Sequence, residues 1–178
     1  MFENIRADKM RYKDSGIWLL QTGFWVTFVY RFGSWTGRIR PKILQIPFRM
    51  VYALCIIPVH CFTNVYIPSR AQIGPGLLLK HPNLIFISKE TVIGPECTIY
   101  HDVTFGHGSR PGGPELDTSV VVFPGARILG GIHIGENAHI GANTVVTQDI
   151  KPWTMVIAPK PSQLPMRMTK ALLRKCSE

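Results

Sequence analysis

The stretch His133–Thr144, HIGENAHIGANT, is one hexamer written almost twice: His-Ile-Gly-Glu-Asn-Ala, then His-Ile-Gly-Ala-Asn-Thr. Neither an α-helix nor a flat strand has a period of six. A short strand plus one turn does, and repetition at a fixed period has to be interpreted before any single element. Outward from this stretch, aliphatic residues fall six apart at Val122, Ile128, Ile134, Ile140 and Val146. Four positions after each stand Ala126, Ile132, Ala138, Thr144 and Ile150, mostly small or aliphatic. The same beat runs upstream through Ile73, Leu79 and Ile85, then Ile93, Ile99 and Phe105.

Three strand-plus-turn units close a triangular coil of about eighteen residues, and such coils stack into a parallel β-helix. Each aliphatic then points into the prism and rests on its equivalent one coil away. Gly and Asn suit the corners, whose backbone angles branched side chains resist. The pattern resembles the left-handed β-helix of hexapeptide-repeat proteins, an exception to the right-handed crossover rule. It predicts a mainly β domain over residues 66–161, with coils from Tyr66 to Ile150. Two interruptions stand out. The spacing from Ile85 to Ile93 is eight, an insertion of two. From Phe105 to Val122 it is seventeen, which predicts a projecting loop of about eleven extra residues within Gly106–Val120, GHGSRPGGPELDTSV. Insertions in a solenoid tend to lie on its functional face.

The flanks differ in character. Residues 1–65 carry a net charge of +6, residues 66–159 of −1 and residues 160–178 of +4, within a total of +9. A nucleic-acid binder concentrates basic charge on its main folded face, so this neutral middle argues against nucleic acid as a partner. Four cysteines without a CxxC pair read as reduced thiols, consistent with a cytoplasmic protein. Behind a mixed-charge leader with no cleavable signal, Ser15–Trp35 and Lys42–Phe62 predict two apolar helices. Gln21, Arg31, Arg49, Pro47 and Pro58 make them poor membrane spans. Their aromatic and basic residues leave two roles open: packing on the prism or another subunit, or peripheral contact with a membrane surface. Residues 162–178 predict a short basic C-terminal helix.

A prism of aliphatic coils performs no chemistry, so the polar residues interrupting it are the candidates. His81 follows Leu79 by two and His101 follows Ile99 by two, which places the pair one coil apart on the same face, stacked at about the 4.8 Å strand spacing. His107 falls on the adjacent face, at the base of the loop. His133 and His139 read as solvated coil residues. A metal centre is not expected, because His101 and His107 sit on different faces and cannot converge on one ion.

Gly74–Gly108, GPGLLLKHPNLIFISKETVIGPECTIYHDVTFGHG, and Gly125–Val146, GARILGGIHIGENAHIGANTVV, resemble the serine acetyltransferase family. The resemblance covers about residues 66–161. It implies an enzyme that transfers acetyl from acetyl-CoA to a hydroxyl, with sites between the subunits of a homotrimer. His81 corresponds to the family's catalytic base, with His101 as helper or alternative base. Gly106, His107, Pro124, Gly125, Ala142 and Lys160 correspond to the coenzyme groove. Departures are also present. Lys80 stands where the family has Asp, Tyr66 where it has an acid supporting the histidine, and Gly113-Pro114-Glu115-Leu116 where it has Asp-Arg-His-Pro. The counter-charges for an amino acid are thus replaced, while the IYHDVTFG motif (Ile99–Gly106) is similar to that of acetyltransferases acting on bacterial exopolysaccharides. On these grounds the expected acceptor is a glycan hydroxyl of an exopolysaccharide or capsule precursor, ahead of L-serine. A non-catalytic scaffold is a further alternative.

Overall fold

The computed structural model describes residues 1–13 and 17–160. From Gln72 onward the chain winds into a left-handed parallel β-helix whose walls are three sheets. The first sheet stacks β1 (Gln72–Ile73), β4 (Val92–Ile93), β7 (Glu115–Leu116) and β10 (His133–Ile134). The second stacks β2 (Leu78–Leu79), β5 (Thr98–Ile99), β8 (Val121–Val122), β11 (His139–Ile140) and β13 (Met155–Val156). The third stacks β3 (Phe86–Ile87), β6 (Thr104–Gly106), β9 (Arg127–Leu129) and β12 (Val145–Val146). Tyr66 adds a parallel bridge to Phe86, and Ile150 one to Ile134. The expected architecture is therefore the observed one.

The registers refine its frame. Ile73 pairs with Ile93, Ile93 with Leu116 and Leu116 with Ile134, so these coils are twenty, twenty-three and eighteen residues long. Leu116 is a core residue, 3% exposed, and Glu115–Leu116 is a strand, not part of a loop. The insertion after Phe105 is correspondingly about five residues instead of eleven. Ile87, not Ile85, pairs with Phe105. Ile85 is fully buried as well, but in the second interior series with Cys97, Val103, Val120, Ala126, Ile132 and Ala138. Both series point inward, so the aliphatic pattern alone did not distinguish them. The two-residue insertion therefore lies between Leu79 and Ile87.

Corners stack as regularly as strands. Gly76, Glu96, Ser119, Asn137 and Trp153 form one column with positive φ, and Leu84, Asp102, Gly125 and Asn143 another. Corner amides bond to the coil before, as Ser119 N–H does to Pro95 O at 2.9 Å and Asn143 N–H to Pro124 O at 2.9 Å. The left-handed conformation is costly for residues other than glycine. Here the coil-to-coil hydrogen bonds hold it.

A solenoid needs a cover on its terminal coil, where unpaired strand groups are exposed. Four side chains supply it. Helix α1 (Phe2–Lys13) and helix α2 (Thr22–Thr36) lie across the first coil. Leu77 N–H donates to Asp8 Oδ1 (2.9 Å) and Leu79 N–H to the Tyr12 hydroxyl (2.8 Å). Arg31 donates to the carbonyls of Ile73 (2.5 Å) and Gly74 (2.6 Å), and Tyr30 to that of Ala71 (2.7 Å). Asp8 and Arg31 pair at 2.9 Å, 1% and 4% exposed. Gly23 lets α2 approach closely, since a Cβ there would overlap Leu79 O and the Tyr12 ring.

The expected apolar helices are present as α2 and α3 (Lys42–Thr63); α1 was not anticipated. Its inward face is Ile5, Asp8, Arg11 and Tyr12, which mixes apolar and charged residues and lacks the apolar periodicity that reveals a helix. Arg11 extends the polar contact to Glu96 (2.5 Å) and Thr98 (2.9 Å). Helix α3 packs its inner stripe on α2 and sends Val59 against the prism core, but only Thr63 is buried. By length and composition it is apolar enough to cross a membrane. The expected C-terminal basic helix falls outside the described residues.

Candidate active site

The ridge joining the second and third sheets carries most of the expected site. It consists of the turns β2–β3, β5–β6, β8–β9 and β11–β12. Lys80 N–H bonds to Ile99 O (2.9 Å), and Asp102 N–H bonds to Asn83 O (2.8 Å). Lys80 is thus level with Tyr100, and Asn83 with His101. His81 and Pro82 are the two inserted residues. The expected stacking of His81 on His101 is not observed: His81 stands on a bulge of the ridge, exposed and with φ 53°. The spacing of aliphatic residues puts the insertion one turn too late, because Ile85 mimics a frame position.

His101, Pro124 and Ala142 occupy equivalent corner positions of successive coils. His101 O accepts from Gly125 N–H (3.3 Å) and Pro124 O from Asn143 N–H (2.9 Å). His101 is exposed. Its neighbour Asp102 is taken up by Arg127, with Nη2 to Oδ1 at 2.8 Å. Among the described residues, neither His81 nor His101 bonds to a carboxylate. Tyr66, at the place expected for a supporting acid, stacks on Phe86 at 5.2 Å. Lys80 lies 5.6 Å over the Tyr100 ring, which stacks on Phe123 at 5.4 Å. The turn-bearing edge is therefore an aromatic, cationic surface flanking the two histidines.

Gly106 and His107 lie elsewhere, at the far end of the third sheet. One prism does not bring them to the His81–His101 ridge. His107 Nε2 bonds to Glu90 Oε2 at 3.1 Å, a His–carboxylate pair that the sequence reading missed. The usable signal was their separation of seventeen, close to one coil. The loop that follows is pinned, not free. Arg110 holds both Asp149 oxygens at 2.9 Å, and His133 N–H donates to Asp149 Oδ1 at 3.0 Å. The His133 amide first, then Arg110, hold the Asp149 carboxyl below its usual value. Glu90, Arg110, Gly113, Glu115, His133 and Asp149 border a hollow under this loop. His133 also lies 3.1 Å from Asp117, and His139 packs on Phe123 at 6.1 Å. Lys160 is exposed at the end of the described chain, beyond β13. Among the described residues no cluster of three or more His, Cys, Asp or Glu could hold a metal ion.

No family model matches the chain. It is 33% identical over 135 residues to a serine acetyltransferase of Synechococcus elongatus, covering 74% of this chain and 52% of that protein. It is 39% identical over 101 residues to a serine acetyltransferase of Helicobacter pylori, covering 55% and 59%. The soybean serine acetyltransferase complexed with serine superposes with a TM-score of 0.71 at 27% identity, over 88% of this chain and 66% of that one. The chain thus spans about half the length of the curated relatives it matches. These likenesses overturn the glycan acceptor and the exopolysaccharide role expected from the sequence. That expectation counted missing counter-charges at Tyr66, Lys80, Glu115 and Leu116. A missing side chain removes one contact, whereas backbone amides and a neighbouring prism can line the same cleft.

Proposed function

We propose that this protein is an acetyl-CoA-dependent serine O-acetyltransferase, the activity that makes the activated serine used in cysteine biosynthesis. The observation that carries this reading is its similarity to serine acetyltransferases in both sequence and fold, over 74% and 88% of the chain. His81 serves as general base, with His101 as helper or alternative. An unprotonated imidazole takes the proton of the serine hydroxyl while that oxygen attacks the thioester carbonyl. Backbone N–H groups of the ridge stabilise the resulting oxyanion, which collapses with loss of the CoA thiolate. Gly106, His107, Pro124, Gly125, Ala142 and Lys160 form the coenzyme groove.

The split geometry supports a homotrimer. Gly106 and His107 sit on a different ridge from His81, so a groove using both sets needs two prisms side by side. The protein works in the cytoplasm. An acetyl-transfer assay with acetyl-CoA and L-serine, following free CoA and O-acetylserine, tests the reading. CoA release dependent on L-serine is expected; none above the rate with D-serine or water would overturn it.

Among the described residues neither His81 nor His101 bonds to a carboxylate, and this favours one rival, a scaffold that keeps the prism without activity. Acetyl-CoA separates the two, because a ligand of the native state raises the melting temperature. No shift at millimolar coenzyme would favour the scaffold.

A further inference from the structure

Among the described residues, nothing covers a broad apolar face of helix α3. Its inner stripe is engaged: Gln45 donates to Thr36 O at 2.9 Å, the Tyr52 ring packs on Gly33, and Val59 meets the core. The outer face exposes Ile43, Ile46, Met50, Leu54, Ile57 and Phe62, with Leu54 at 70% and Phe62 at 84%. The charged residues of the helix are Lys42, in the first turn, and Arg49. An exposed apolar surface of this extent marks a protein or membrane interaction site.

The surface continues onto α2. Trp25, Phe28, Phe32 and Trp35 follow at helical spacing on its outer side, with Trp25–Phe28 at 6.0 Å and Phe32–Trp35 at 5.9 Å. Trp35 then meets Phe48 of α3 at 5.3 Å. Beside this patch, where α2, α3 and the first coil meet, lies a hollow of about 670 Å³ lined by Arg31, Arg38, Arg49 and Arg70. Arg31 is paired with Asp8, but Arg38, Arg49 and Arg70 make no ion pair among the described residues. The sequence has no Asp or Glu from Ser15 to Lys89. A second copy on this patch would set arginine against arginine with no acid to oppose it, which disfavours self-association.

We propose that the α2–α3 surface docks on an anionic lipid bilayer, with headgroup phosphates bound by Arg38, Arg49 and Arg70. Helix α3 lies in the plane of the interface. Its 22 residues would reach about 33 Å, near the thickness of the hydrocarbon layer, but both ends are tied to one body. Only residues 37–41 link it to α2, and Val65, just past its end, is already in the prism core. Exposed aromatics beside arginines suit the headgroup zone. This inference is independent of the acetyl-transfer reading, and its test measures no activity.

The full-length protein is sedimented with vesicles of phosphatidylcholine alone or mixed with phosphatidylglycerol. Binding to the mixed vesicles only, weakened by salt, is expected. Leu54→Glu with Ile57→Glu, and separately Arg38→Glu with Arg49→Glu, should each reduce partitioning about tenfold or more. If the Leu54/Ile57 variant fails to fold, the arginine pair and the salt dependence decide. Absence of sedimentation, or sedimentation unchanged in the arginine variant, overturns the proposal. So does binding of inorganic phosphate without vesicle binding. An oligomer that dissociates in the Leu54/Ile57 variant, while the parent ignores vesicles, would assign the face to a second copy and overturn it equally.

Discussion

The Tyr12 hydroxyl accepts the Leu79 amide at 2.8 Å, joining α1 to the strand that ends two residues before His81. Tyr12 is fully buried, with its ring edge-on to Phe24 at 6.0 Å. It thereby substitutes for the strand that a preceding coil would have provided. Tyr12→Phe keeps the ring and leaves Leu79 N–H unsatisfied, which should cost about 1–3 kcal/mol. Urea unfolding of the variant checks this; an unchanged midpoint would show that water replaces the hydroxyl.

The Asp8–Arg31 pair caps the first sheet in the same way, but with charge. Burial pushes the Asp8 carboxyl up, while Arg31 and the Leu77 amide draw it back. Asp8→Ala strands the Arg31 guanidinium in the interior and should destabilise by about 3–5 kcal/mol. Replacing both residues with apolar ones removes the stranded charge, so the double variant should lose less than Asp8→Ala alone. A double variant less stable than the single one would contradict this account.

Catalysis gives the third prediction. His81→Ala should lower kcat by roughly 10²–10⁴, the usual share of a general base. His101→Ala should lose less if His81 is the base, and more if the roles are reversed. Full L-serine-dependent activity in both variants would remove the ridge from consideration.

The fourth concerns alkaline pH. Cys97 is fully buried, and desolvation pushes its thiol up to about 11 from an ordinary 9.0. Tyr12 is raised too, by the same cause. The folded pKa lies above the unfolded one, so the stabilising contribution is complete below about pH 9 and lost as pH rises toward 11. For the thiol this amounts to about 3 kcal/mol. Thermal unfolding at stepped pH should show the decline, and Cys97→Ala should flatten it. The exposed Cys61 should alkylate in the native state while Cys97 does not.

The solenoid was legible because the period of its aliphatic residues is also its geometry. Ile134, Ile140 and Val146 each announce a wall of the prism. Legibility failed where two interior series run side by side. Ile85 looked like a wall residue, shifted the apparent insertion, and led to the expectation that His81 stacks on His101. Leu116 was hidden among glycines, prolines and charges, so its strand read as loop. Helix α1 escaped because its inward face alternates apolar Ile5 and Tyr12 with charged Asp8 and Arg11. The His107–Glu90 pair could be seen only once coil lengths were known. The acceptor expectation rested on side chains absent at Tyr66, Lys80, Glu115 and Leu116, and an absent side chain does not report on what backbone groups can bind.

All length variation between Ile73 and Ile134 is confined to corners: two residues at His81–Pro82 and about five after Phe105, while the strands above and below stay in register. The ladder therefore behaves as a vernier that resets every turn. New segments can be threaded into a ridge without renegotiating the interior, whereas one residue added inside Ile99 or Ile128 would throw every later wall out of phase. Evolution of specificity in such a chain is free to proceed by splicing at its edges, and a protein engineer can graft there by the same rule.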